Sequence, residues 1–188
     1  MNDMNEQEMS EPMSLESLHA SVGVRTGRPH ILTILVENKP GVLSRVAGLF
    51  ARRGFNIDTL AVGPTEDPNF SRITLTVDGA VHPIDQVTKQ LHKLVNVIKI
   101  RDLEPGEAVQ RELAMFKIDA DGARRAEVLQ IVDIFRGKIV DLGHVTIVVE
   151  ITGTSEKIEA FEQMIRPFGL VEMARTGEIA ISRGGTET

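Results

Sequence analysis

The chain has 188 residues, 41% of them apolar, with seven phenylalanines and no tryptophan, tyrosine or cysteine. That content supplies a packed core for one domain or two small ones, built from Val, Ile, Leu and a few Phe. The absence of cysteine excludes disulfides, thiol nucleophiles and Cys-based metal sites, and agrees with a reducing compartment. A net charge of −6 argues against general nucleic-acid binding. No apolar run approaches the roughly 20 residues of a membrane span, and no segment has the layout of a signal peptide, so a cytoplasmic protein is expected.

Residues 1–29 hold four of the seven methionines, five acidic residues and two arginines with little apolar periodicity, and read as a flexible tail in which Ser14 to Ala20 could form a transient helix. Ile31 to Val36 is a β-branched, apolar run of strand length. Val42, Leu43, Val46, Leu49 and Phe50 then recur at helical spacing, Ile57 to Val62 reads as a second strand, and Gly63 to Asn69 is dense in turn residues. Arg72 to Asp78 alternates, with Ile73, Leu75 and Val77 on one face and Arg72, Thr74, Thr76 and Asp78 on the other, which implies a sheet with one wetter face. A helix starting near Pro83 and a strand from Val97 to Leu103 complete a βαββαβ order, the ferredoxin-like split βαβ arrangement.

Glu104-Pro105-Gly106-Glu107 reads as a linker. Beyond it come a strand (Arg111 to Ile118), a helix (Gly122 to Phe135), strands at Lys138 to Leu142 and Val145 to Ile151, a helix lined by Ile158, Phe161, Ile165 and Phe168, and short strands at Leu170 to Arg175 and Glu178 to Ser182. The element order therefore repeats. The expected fold class is α+β, with two ferredoxin-like βαββαβ-type domains at 30–104 and 108–184 after the 1–29 tail.

Between the first strand and helix lies Asn38-Lys39-Pro40-Gly41. Pro40 fixes its own backbone and restricts Lys39, while Gly41 permits positive φ and close approach of a ligand. The first N–H groups of the helix, around Gly41, Val42 and Leu43, lie at the positive end of its dipole without intrahelical partners, a setting that favours a small carboxylate. Asn38 could accept from the ammonium of a free amino acid, and Val42, Leu43 and Ile57 would supply apolar surface. The turn alone also fits an ordinary strand-to-helix connection in which Asn38 bonds its own backbone. The second repeat lacks this turn, so a site of this kind is expected only in the first.

Nothing in the chain has the spacing of a catalytic or metal centre. His82 and His92 do not share a helix face, Ser44 and Ser71 have no nucleophile-elbow context, and no Walker-type or dinucleotide-binding glycine pattern occurs. An RNA-recognition sheet needs exposed aromatics where Arg72 to Asp78 offers Thr and Asp. An acyl-phosphate hydrolase needs an arginine in the loop that here carries Lys39 and Pro40.

Seven separated motifs occur in order: NKPGVLSRVAGLF, RRGFNIDTLAVGPTEDP, SRITLTV, KQLHKLVNVIKI, RELAMFKI, FRGKIVD and a terminal SRG. From about His30 to Gly184 the chain thereby resembles the small regulatory subunits of acetohydroxyacid synthase (acetolactate synthase), whose N-terminal half is an ACT domain. The resemblance implies a non-catalytic chain that dimerises through its ACT domains. Such a chain activates a catalytic large subunit and confers feedback inhibition by valine or another branched-chain amino acid. It implies that Asn38, Gly41, Val42 and Leu43 hold the polar end of the effector while Asn56 and Ile57 of the facing subunit close the pocket. Thiamine diphosphate, magnesium and FAD are implied for the catalytic partner, and no cofactor or metal for this chain. The alternative is a free-standing ACT-type amino-acid sensor without an enzyme partner.

Overall fold

A computed structural model describes residues 29–78, 84–104, 106–185 and 188. The tail read at 1–29 lies outside these except for Pro29, which opens the first strand, and the helix start near Pro83 lies outside them too. The elements of the first half are β1 (Pro29–Glu37), α1 (Val42–Arg53), β2 (Thr59–Pro64), β3 (Phe70–Asp78), α2 (Ile84–Leu91) and β4 (Val97–Leu103). Those of the second are β5 (Ala108–Asp119), α3 (Gly122–Ile134), β6 (Lys138–Leu142), β7 (Thr146–Gly153), α4 (Ser155–Gly169), β8 (Leu170–Arg175) and β9 (Ile179–Ser182). The sheets run β2-β3-β1-β4 and β6-β7-β5-β8, the same ferredoxin-like order twice, with antiparallel neighbours throughout.

Alternation decides which face of the first sheet is covered by helices. Leu32, Ile34 and Val36 on β1 and Ile73, Leu75 and Val77 on β3 point to one side and are buried with Val42, Val46, Leu49 and Phe50 of α1 and Val87 and Leu91 of α2. Gly54, in the left-handed conformation at φ 69°, returns its N–H to Ala51 and Phe50 and stops α1, where Arg52 and Arg53 face the negative end of the helix dipole. The second half builds its own core, in which Phe161 makes edge contacts with Phe116 and Phe135 at centroid distances of 5.0 and 5.4 Å.

Two features depart from the sequence reading. The threonine face of β3 is not wet: Thr74 and Thr76 are 2% and 3% exposed, and neighbouring Thr33 is 2% exposed. The reason lies in β5, a single strand doing two jobs. Its residues 112–119 pair with β7, while 108–111 pair only with β9, and this short ribbon packs against the first half, Ala108 and Ala180 meeting Ile31 and Leu103. The segment expected as a linker is a hydrogen-bonded turn: Glu107 donates to Glu104 O at 3.0 Å, and Arg183 donates to Glu107 O at 2.7 Å, tying the C-terminal segment to it. Pro105 lies outside the described residues.

At the seam between the halves Gly177 faces the backbone of β2; a Cβ there would lie within 2.5 Å of Leu60 C and 2.9 Å of Ala61 N. Beside it Arg175 donates to both oxygens of Glu112, whose side chain is wholly buried, at 2.5 and 2.6 Å. Ser155 Oγ bonds Glu112 and, at 2.7 Å, Glu178. The Arg175 guanidinium is held above its ordinary range, first by the hydrogen bonds to Glu112.

Candidate effector site

The β1–α1 turn takes the shape its sequence predicts and is held from a direction the sequence does not reveal. Gly41 caps α1 with φ 82° and ψ −5°, a left-handed conformation in which a Cβ would be strained, and no side chain caps the helix there. Its surroundings are open: Asn38, Gly41 and Leu43 are exposed, while Val42 is buried as the first core residue of the helix. The Val42 N–H bonds Lys39 O at 3.3 Å, so the donors left at this helix start are those of its neighbours.

Asn38 does not bond its own backbone. Its Nδ2 donates to Pro68 O at 2.9 Å and its main-chain N–H to Asn69 O at 2.7 Å, both in the β2–β3 loop. The first bond orients the carboxamide and leaves Oδ1 as its acceptor atom, and the second pins the backbone.

A second set of residues, not singled out by sequence reasoning, braces the turn from below. Glu37 donates its N–H to Asn96 O at 3.0 Å, and its carboxylate accepts from Asn96 Nδ2 and from Lys39 Nζ, the latter at 3.0 Å. Asn96 Oδ1 accepts from Arg45 in the first turn of α1. The end of β1, the start of α1 and the approach to β4 are thereby joined by one carboxamide. The Glu37 carboxyl sits below its usual range, chiefly through the Asn96 bond and next through Lys39. No local signal marks this network, because Glu37 and Asn96 are separated by 59 residues.

Asn56 and Ile57 lie elsewhere. They follow the C-terminal end of α1, and a helix of 12 residues spans about 18 Å. Asn56 is exposed and donates to Asp58 Oδ1 at 2.9 Å, while Ile57 packs at the margin of the first core. A single chain therefore does not bring Asn56 to Asn38.

In the second half the equivalent position carries its own negative charge. Asp121 precedes α3 with φ −72°, its carboxylate accepting from Arg124 Nε at 3.1 Å and held below the usual range by that bond. A carboxylate already at the helix start disfavours a ligand carboxylate there. Among the described residues no group of three or more His, Asp or Glu could hold a metal ion, and no helix is long and apolar enough to cross a membrane.

Two ferredoxin-like halves in tandem, the first opening on a strand, a glycine turn and a helix, are the architecture of an ACT-domain protein. The profile described as "AHAS small subunit-like ACT domain" matches residues 32–99, and that described as "Small subunit of acetolactate synthase" matches residues 111–184. A probable acetolactate synthase small subunit of Methanothermobacter thermautotrophicus is 53% identical over 156 residues, covering 82% of this chain and 93% of that one. The acetolactate synthase small subunit of Mycolicibacterium smegmatis is 48% identical over 155 residues, covering 82% and 91%. The crystal structure of the acetolactate synthase small subunit from Thermotoga maritima superposes with a TM-score of 0.77 at 43% identity, covering 85% of this chain and 99% of that one. The chain belongs to the acetolactate synthase small-subunit family.

Proposed function

We propose that this chain is the non-catalytic regulatory partner of an acetolactate synthase catalytic subunit, activating it and making it sensitive to valine or a closely similar branched-chain amino acid. The observation that carries the effector part is the left-handed, uncapped glycine start of α1 beside an Asn38 whose amide nitrogen is already committed. The helix start offers donors to a carboxylate, Oδ1 offers an acceptor to an ammonium, and Leu43, 41% exposed, offers apolar surface.

Because Asn56 and Ile57 lie a helix length away, the pocket is completed by those residues of a second copy, in an ACT-to-ACT homodimer. Effector binding regulates the partner only if the dimer's two states bind valine with different affinity, the difference setting the size of the response. The thiamine diphosphate, magnesium and FAD belong in this reading to the catalytic chain, and the complex is cytoplasmic.

The test is capture of the partner from native extract with the full chain as bait, followed by an acetolactate assay with and without the chain and with and without valine. Stimulation that valine reverses is expected. Valine binding to the chain with no captured synthase and no change in acetolactate formation would overturn the regulatory-subunit reading in favour of a free-standing sensor.

A further inference from the structure

The helix-free face of the first sheet carries an unusual pair of rows. Strand register places Gly63, Arg72, Leu35 and Lys99 side by side, and next to them Ala61, Thr74, Thr33 and Arg101. Above the β2–β3 part of this face the β5–β9 ribbon leaves a cleft of about 500 Å³. Its walls include Ala61, Val62, Val109, Ile179 and Ile181, with Arg72 and Thr74 at its polar end. This size and this balance of apolar wall to few polar groups are those of small-molecule sites.

Two observations say what the cleft would hold. Arg72 is half-buried, yet among the described residues its guanidinium has no ion-pair or hydrogen-bond partner. A partly desolvated cation without a counter-charge is costly, and its planar fork matches a carboxylate. Arg111 and Glu66, both exposed, line the cleft as well, so its arginines outweigh its glutamate by a single charge, which suits one carboxylate on the guest. Glu66 repels a second carboxylate and would accept from an ammonium.

We propose that this cleft binds a small monocarboxylate with a short apolar tail, the chemistry shared by apolar amino acids and their 2-oxo acids. Arg72 takes the carboxylate; Val62, Ile179 and Ile181 cover the tail. The site shares no residue with the β1–α1 turn and does not depend on the effector reading of that turn.

The test titrates the full chain with isovalerate, which has the carboxylate and tail but no ammonium, by calorimetry and ligand-detected NMR. Binding is expected, weakened at least about tenfold by Arg72→Met, partly retained by Arg72→Lys and unchanged by Asn38→Ala. If Arg72→Met fails to fold by circular dichroism, Ile181→Trp serves instead. Ile181 is 57% exposed, so a larger ring there fills the cleft mouth without entering a core, and loss of binding is expected. Competition in an Asn38→Ala background separates the two sources: valine displacing isovalerate at the lower concentration identifies the amino acid, and the 2-oxo acid with the same tail doing so identifies the oxo acid. No isovalerate binding at about 10 mM, equal affinity in a folded Arg72→Met, or loss on Asn38→Ala alone would overturn the proposal.

Discussion

Asn38 and Pro68 are joined across 30 residues by a hydrogen bond of 2.9 Å from the Asn38 carboxamide to the Pro68 carbonyl. The bond converts an exposed loop asparagine into an oriented one. It turns the amide nitrogen toward the β2–β3 loop and leaves Oδ1 as the acceptor of the carboxamide. The roles of Asn38 and Gly41 can therefore be separated by mutation.

Asn38→Ala removes the acceptor and the Pro68 bond together. It is expected to weaken valine binding about tenfold, the worth of a hydrogen bond to a charged group, while the thermal midpoint moves little because the residue is exposed. Gly41→Asp places a Cβ at φ 82° and a negative charge at the helix start, and is expected to abolish binding at a folding cost of about 1–2 kcal/mol. Calorimetry giving wild-type affinity in both variants would remove the turn from the site.

Asn56→Ala tests the shared pocket. The expected outcome is a weaker valine affinity with no change in the monomer fold, since Asn56 bonds only its neighbour Asp58 among the described residues. Sedimentation equilibrium checks the premise: a chain that stays monomeric in saturating valine cannot complete its site from a second copy.

The Glu37 network makes a pH prediction. A carboxylate held below its usual value, as Glu37 is by Asn96 and Lys39, contributes stability that is complete above the unfolded value of about 4.3 and is lost as pH falls through the lower folded value. Glu37→Gln should therefore differ from wild type in valine affinity and urea midpoint at neutral pH, with the difference closing well below pH 4. A difference that persists undiminished at pH 3 would assign the effect to shape rather than charge.

Gly177→Ala and Arg175→Met probe the seam. The alanine Cβ would meet β2 backbone, which cannot rotate away as a side chain would, and a loss of about 1–3 kcal/mol is expected. Arg175→Met leaves the buried Glu112 without its cation, a loss of about 3–5 kcal/mol for a fully buried pair and less here, where Arg175 is 24% exposed. Chemical denaturation measures both: an unchanged midpoint in Gly177→Ala would mean that β2 and the second half do not stabilise each other through this contact, and one in Arg175→Met that the Glu112 pair adds nothing to the second half.

What the sequence by itself determined was local and periodic. Ile31 to Val36 reads as a strand by its β-branched apolar run and Ile73-x-Leu75-x-Val77 by its alternation, and Val42, Val46, Leu49 and Phe50 read as the buried face of a helix, because burial selects residues at the period of the element. Pro40-Gly41 announced the turn for the same local reason. What only the tertiary structure decided is what approaches from a distance. Thr74 and Thr76 look like solvent-facing residues by alternation and are buried because β5 and β9 return over them. Asn38 is oriented by Pro68, Glu37 by Asn96, and Asn56 is set a helix length from Asn38. Each of those outcomes depends on pairing between segments far apart in the chain, for which residue spacing carries no signal.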